Sequence, residues 1–182
     1  MTKRGDAIVL IGFMGAGKSS VGRALARITG LPRFDTDEIV AARFGLTIAE
    51  IFEKHGEDQF RDAETEALRT LSEKGAAIIV TGGGMVLRPE NREALRELGS
   101  VIYLSADEAT LFARISRRST RPLLRTENPR RTISELLGPR LPLYREVADT
   151  EIDTSSLTHD EVARTILRKV EDHERIRVER QG

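Results

Sequence analysis

A short apolar run, Ala7-Ile8-Val9-Leu10-Ile11, passes without a break into Gly12-Phe13-Met14-Gly15-Ala16-Gly17-Lys18-Ser19, and this junction constrains the chain more than any other stretch. An uninterrupted Ile/Val/Leu run reads as a strand buried on both faces of a parallel sheet. Behind it, glycine, lysine and a hydroxyl at the spacing G-x-x-x-x-G-K-S are what a phosphate-binding loop needs. The glycines let successive N–H groups point at a β-phosphate, Lys18 reaches the β/γ oxygens, and the Ser19 hydroxyl can ligate Mg²⁺. Ser20 to Thr29 follows with Val21, Leu25 and Ile28 at helical spacing, and Gly30 stands where a helix would close. The expectation is a strand, a turn and a helix whose N-terminus receives a nucleoside triphosphate. The competing reading is a strand-to-helix turn with an incidental lysine.

At 182 residues with no Pro/Gly/Ser-rich linker or repeat, the chain is expected to form one α/β domain over 1–182. Lys plus Arg equals Asp plus Glu, 29 against 29, so no global field favours nucleic acid or an anionic membrane. Cysteine is absent, which removes disulfides, thiol nucleophiles and Cys-based metal sites and fits a reducing compartment. His55, His159 and His173 lie far apart in charged surroundings, without metal-ligand spacing, and read as surface residues. Met1 to Asp6 leads straight into the first strand, and no segment approaches the roughly 18 consecutive apolar residues of a membrane span. A cytoplasmic protein is expected, and the lack of a heptad pattern favours a monomer.

Along the chain, short apolar runs alternate with amphipathic stretches. Strands are predicted at Ala7–Ile11, Arg33–Asp35, Ala76–Thr81, Val101–Leu104 and Thr150–Ile152. Thr47 with Glu50 reads as a capping box opening a helix that stops near Gly56, and a second helical stretch covers Glu57–Glu73. Ser105 with Glu108, and Thr158 with Glu161, read the same way. The charged residues from about Glu171 are expected to fray as a tail. Such alternation predicts a parallel sheet covered by helices, with ligands at the carboxyl ends of the strands.

Further candidates sit at those ends. Asp35-Thr36-Asp37 closes the second strand; residues two apart on a strand face one way, so both carboxylates could serve a metal and an acceptor hydroxyl. The alternative is that Asp37 merely caps a helix. In Phe60-Arg61-Asp62-Ala63-Glu64, Glu64 can brace the Arg61 guanidinium for a bidentate carboxylate contact, although surface ion pairs have the same spacing. Three consecutive glycines, Gly82 to Gly84, are costly in chain entropy unless backbone must approach something closely; a tight turn needs fewer. Arg114 to Arg131 holds seven arginines against the single acid Glu127 and lacks a helical apolar stripe after Ser116. It reads as a mobile lid over a triphosphate, or, as the alternative, a nucleic-acid patch, though no aromatic residues interleave for base stacking. Arg140 precedes a compact apolar turn, Leu141-Pro142-Leu143-Tyr144.

In order and spacing these motifs resemble those of the shikimate kinase family from about Ala7 to Val170. The resemblance implies a nucleoside monophosphate kinase type of α/β fold, a three-layer arrangement with a five-stranded parallel sheet in order 2-3-1-4-5 flanked by helices. It implies transfer of the ATP γ-phosphoryl to the 3-hydroxyl of shikimate, with ATP and Mg²⁺ required. By the same resemblance, nucleotide would be bound by Gly12, Gly15, Ala16, Gly17, Lys18, Ser19, Ser20, Arg114 and Arg121, and the metal by Ser19 and Asp35. The acceptor would be bound by Asp37, Arg61, Glu64, Gly82, Gly83, Gly84 and Arg140, with Lys18, Asp37 and the lid residue Arg121 in catalytic roles. The loop Asp153-Thr154-Ser155-Ser156-Leu157 departs, lacking the arginine and proline that some members place against adenine, which leaves the choice of ATP over GTP open. Other expectations are a gluconate kinase of the same fold, opposed by the triple glycine with Arg61 and Arg140, and a catalytically silent relative, opposed by the filled motif positions. A switch GTPase would need an Asn-Lys-x-Asp box, yet Asn91 and Asn128 are followed by Arg-Glu-Ala and Pro-Arg-Arg.

Overall fold

The computed structural model describes residues 5–117 and 128–179, with side chains as far as Asp172. Five strands, β1 (Ala7–Ile11), β2 (Arg33–Asp35), β3 (Ile78–Val80), β4 (Gly99–Ser105) and β5 (Thr150–Asp153), form one parallel sheet in the order β2-β3-β1-β4-β5. The most apolar run takes the central position, and every residue of β1 is buried. Leu10 is in register with Val80 on one side and Ile102 on the other, and Asp35 is in register with Val80. The phosphate loop, Asp35 and the glycine run therefore leave three adjacent strands at the same edge of the sheet.

Eight α-helices and a 3-10 turn at Met85–Leu87 complete the described fold: α1 (Lys18–Thr29), α2 (Thr36–Phe44), α3 (Ile48–Leu71), α4 (Pro89–Leu98), α5 (Glu108–Ser116), α6 (Pro129–Leu137), α7 (Leu141–Val147) and α8 (His159–Glu179). α1 packs with α8 and against β1, β2 and β3, while α4 packs with α3 and α7 and against β1 and β4. The predicted capping box at Thr47 and Glu50 is present, and Gly56, at φ 81°, breaks α3 where the helix was expected to stop. Thr158 and Glu161 form the expected box before α8. The main core follows the sheet; a second, smaller one, Val40, Ile51, Phe60, Ala63 and Ala67, lies between α2 and α3.

Four local expectations are corrected. Ser105 ends β4 and does not cap α5; Asp107 does, accepting from the Thr110 N–H at 2.7 Å. The second strand stops at Asp35, whose side chain accepts the Asp37 N–H at 3.1 Å, so Asp37 lies in the first turn of α2 and strand alternation does not relate the two carboxylates. The charged tail continues α8 to Glu179. The arginine-rich segment is helical at both ends, since Arg114 lies in α5 and both Arg130 and Arg131 lie in α6; the part between, with Arg121, falls outside the described residues.

Candidate active site

The loop after β1 takes its shape from Gly12, Gly15 and Gly17, with φ of 142°, 83° and 95°, conformations that side chains resist. Gly17 caps α1, so the free N–H groups of that helix open into the loop. Lys18 is buried to 9 % exposure, and its ammonium spans the loop, donating to the Gly12 carbonyl at 2.7 Å and the Phe13 carbonyl at 3.0 Å. Ser20, the third residue of α1, accepts from Arg23 at 3.1 Å.

Two further residues strap this loop. Thr154, just past β5, donates to the Ala16 carbonyl at 3.1 Å and the Ser105 carbonyl at 3.0 Å, a shared hydroxyl proton in the buried space. Arg114 donates to the Thr154 hydroxyl at 2.9 Å and its carbonyl at 2.6 Å, and reaches Gly15 O at 3.4 Å. The segment that departs from the family pattern thus supplies a strut for the loop, a role its composition did not suggest. His159 at the start of α8 is exposed, yet its ring lies 3.6 Å from where a Cβ on Gly17 would stand, at the mouth of the loop.

Across from the loop the two aspartates diverge. Asp35 Oδ2 faces Ser19 Oγ at 3.4 Å and accepts from Arg33 at 3.2 Å. Asp37 turns instead toward the glycine run: a Cβ on Gly82 would stand 2.5 Å from both Asp37 Oδ1 and Glu64 Oε1. Only glycine fits there. Thr36 between them, wholly buried, accepts the Gly82 N–H at 3.0 Å and was missed by the sequence reading, which weighed only its acidic neighbours.

Arg61 and Glu64 pair as predicted, Nη1 to Oε2 at 2.6 Å, with side chains 11 % and 1 % exposed. This is no surface ion pair. Glu57 holds the opposite edge of the guanidinium through Nε and Nη2 at 3.2 and 2.9 Å, and the guanidinium lies 5.3 Å from the Phe60 ring centre. Gly84 passes so close to the Arg61 guanidinium that a Cβ would overlap it. Burial, aided by the facing charge of Asp37, raises the Glu64 carboxyl to about 7 although Arg61 pulls it down.

Arg140, immediately before α7, extends over Phe13 of the phosphate loop, 5.7 Å from the ring centre. One helical turn on, Tyr144 is fully buried, stacks on Tyr103 at 5.0 Å and donates its hydroxyl to the Gly83 carbonyl. Gly83 in turn abuts the phosphate loop, 3.5 Å separating its virtual Cβ from Gly12 O and from the Met14 nitrogen. Tyr144 also escaped the sequence reading, although its spacing from Arg140 is that of one helix face.

A phosphate loop closing the central strand of a β2-β3-β1-β4-β5 sheet, with helices on it, is the architecture of P-loop kinases of the nucleoside monophosphate kinase type. The family model for shikimate kinase matches residues 14–171. The shikimate kinase of Thermodesulfovibrio yellowstonii is 47 % identical over 164 residues, covering 90 % of this chain and 94 % of that one. That of Ralstonia nicotianae is also 47 % identical over 164 residues, 90 % of this chain and 86 % of its own. A solved Acinetobacter baumannii shikimate kinase in complex with shikimate superimposes with a TM-score of 0.88 at 40 % identity, covering 94 % of this chain and 96 % of that one. The chain belongs to the shikimate kinase family.

Proposed function

We propose that this chain transfers the γ-phosphoryl group of ATP to the 3-hydroxyl of shikimate, giving shikimate 3-phosphate for aromatic amino acid biosynthesis. The observation that carries the reading is the shared wall at Gly83: the glycine run bounded by Asp37, Arg61 and Glu64 lies directly against the phosphate loop. An acceptor held there has its hydroxyls beside the end of a bound triphosphate.

The roles follow from position and charge. Loop N–H groups and Lys18 neutralise the β- and γ-phosphates, and Arg121 from the lid meets the transferring group. Arg61 and Arg140 grip the substrate carboxylate, Glu64 braces Arg61 until that carboxylate arrives, and Gly82 to Gly84 give the ring room. Asp37 orients the attacking hydroxyl for in-line displacement; the new P–O bond forms, the bond to ADP breaks, and the O–H proton passes to solvent. Ser19 Oγ and Asp35 Oδ2, hard oxygens 3.4 Å apart at the loop's edge, are suited to Mg²⁺ and would hold it. When bound, the ion supplies charge neutralisation on the triphosphate.

The whole chain, 1–182, works as one kinase domain with a lid at about 114–131. It acts as a cytoplasmic monomer on ATP and shikimate, independent of nucleic acid and membrane; no described helix is long and apolar enough to cross a bilayer. Steady-state turnover with a panel of hydroxy acids tests the assignment. Shikimate is expected to be phosphorylated and gluconate not; preferred turnover of gluconate, or none of any acid, overturns it.

A further inference from the structure

Glu64 is the one acid of the acceptor pocket whose side chain is almost wholly enclosed, 1 % exposed. Its Oε2 accepts from Arg61, whereas Oε1 is buried with no hydrogen-bond partner among the described residues. A buried carboxylate oxygen in that position is costly. Oε1 points into the space over Gly82 toward which Asp37 Oδ1 also points, so two acids converge there. The charged groups facing Glu64 are Asp37 from α2, Arg61 from its own helix, and Arg140 from the segment before α7. Glu57 already takes the far edge of Arg61, and Arg88 is engaged with Asp62 and Thr65 on the neighbouring face of α3. The Tyr144 hydroxyl donates to Gly83 and accepts from Arg140.

An incoming substrate carboxylate adds a third anion to a guanidinium that already serves Glu57 and Glu64. We propose that Glu64 takes up a proton as the substrate carboxylate binds, so that Arg61 changes partners without leaving a buried negative charge behind. The proton comes from solvent and lands on Oε1, making a neutral carboxyl that donates toward Asp37 and fixes it for the acceptor hydroxyl. Glu64 is thus a positioning residue whose charge is exchanged for that of the ligand. The position of its titration, near neutrality, puts the exchange within the working pH range. The inference rests on shikimate, or another carboxylate, being the ligand of Arg61 and Arg140.

Proton linkage gives the test. Calorimetric titration of the intact protein with shikimate at about pH 7.5, in buffers of different ionisation enthalpy, reads the protons exchanged on binding. Uptake of a substantial fraction of one proton is expected, with affinity weakening as pH rises above about 7, by up to about tenfold per unit. In Glu64→Gln, whose carboxamide imitates the neutral carboxyl, the uptake should vanish and the affinity should stop changing with pH. Infrared difference spectra of the wild-type protein should gain the C=O band of a protonated carboxylic acid when shikimate is added, a readout independent of how any variant folds. Shikimate binding without proton uptake, or uptake that persists in Glu64→Gln, overturns the inference and leaves the kinase assignment standing. No binding of shikimate to the wild type overturns both.

Discussion

The phosphate loop and the acceptor pocket meet at Gly83, yet they are built by different means. The loop is one contiguous stretch between the central strand and α1, seated on the main core and strapped by neutral hydrogen bonds and Arg114. The pocket is assembled from α2, α3, the glycine run and the start of α7, partly over the smaller core of Val40, Ile51, Phe60, Ala63 and Ala67. Its working groups are enclosed charges that hold one another in place: Arg61 with Glu57 and Glu64, and Asp37 facing Glu64. A loop of backbone donors is complete before ligand arrives, whereas a pocket of opposed charges takes part of its balance from the ligand. Damage on the loop side should therefore appear in turnover, and damage on the pocket side in substrate affinity and its pH dependence.

The sharpest way to break that contrast is Lys18→Ala. Loss of a charge donor aimed at the transferring phosphates should lower kcat by about 10²–10³-fold, with circular dichroism and Tm close to wild type. A variant turning over near the wild-type rate would remove the loop from the chemistry.

Next is the pH dependence of stability on the pocket side. The Glu64 carboxyl stands at about 7 in the folded protein against 4.5 ordinarily, so the native state binds the proton more tightly. Its contribution is fully present below about pH 4.5 and lost as pH rises through about 7, at most about 3 kcal/mol. Denaturant titrations across this range should show Glu64→Gln losing that fall while the wild type keeps it; parallel curves would contradict the buried-charge account. On the loop side, Thr154→Val takes the hydroxyl donor from the Ala16 carbonyl and an acceptor from Arg114, while Ser105 keeps the Thr154 N–H at 2.9 Å. It should cost about 2 kcal/mol, a Tm drop of roughly 4–8 °C, and raise KM for ATP more than for shikimate. Tyr144→Phe should do least: it removes the hydrogen bond to Gly83 and an acceptor of Arg140, about 1 kcal/mol, read as a roughly fivefold rise in KM for shikimate with kcat nearly kept.

The same division governs what could be read from sequence. The loop was legible because strand, glycines, lysine, hydroxyl and helix follow one another, and each has a local reason for its place. Arg61 with Glu64 was legible as a helical pair, and the glycine run as a close approach, though nothing in the sequence says that Gly82 faces Asp37 and Glu64 while Gly84 faces Arg61. That is tertiary information. The period-two reading of Asp35 and Asp37 failed because it carried extended backbone past the strand end at Asp35, where a helix begins at once and its first turn sends the carboxylates to different neighbours. Thr36, Tyr144 and Thr154 were missed because their partners lie 46, 61 and 138 residues away. The helices α4, α6 and α7 left a signal that went unused: each has a proline in its first turn, where the missing N–H costs nothing.

Recognition of a carboxylate by Arg61 and Arg140 is tested directly by one double comparison. Binding of shikimate, and of its analogue with a neutral hydroxymethyl in place of the carboxylate, is measured to the wild type and to Arg140→Ala. The acid should bind the variant roughly tenfold or more weakly, a loss of about 1.5–3 kcal/mol, while ATP affinity holds. The neutral analogue should bind the wild type poorly and lose little further in the variant, because the partner of Arg140 is already gone. Equal losses for both ligands, or a variant weakened alike toward ATP and shikimate, would contradict the carboxylate clamp.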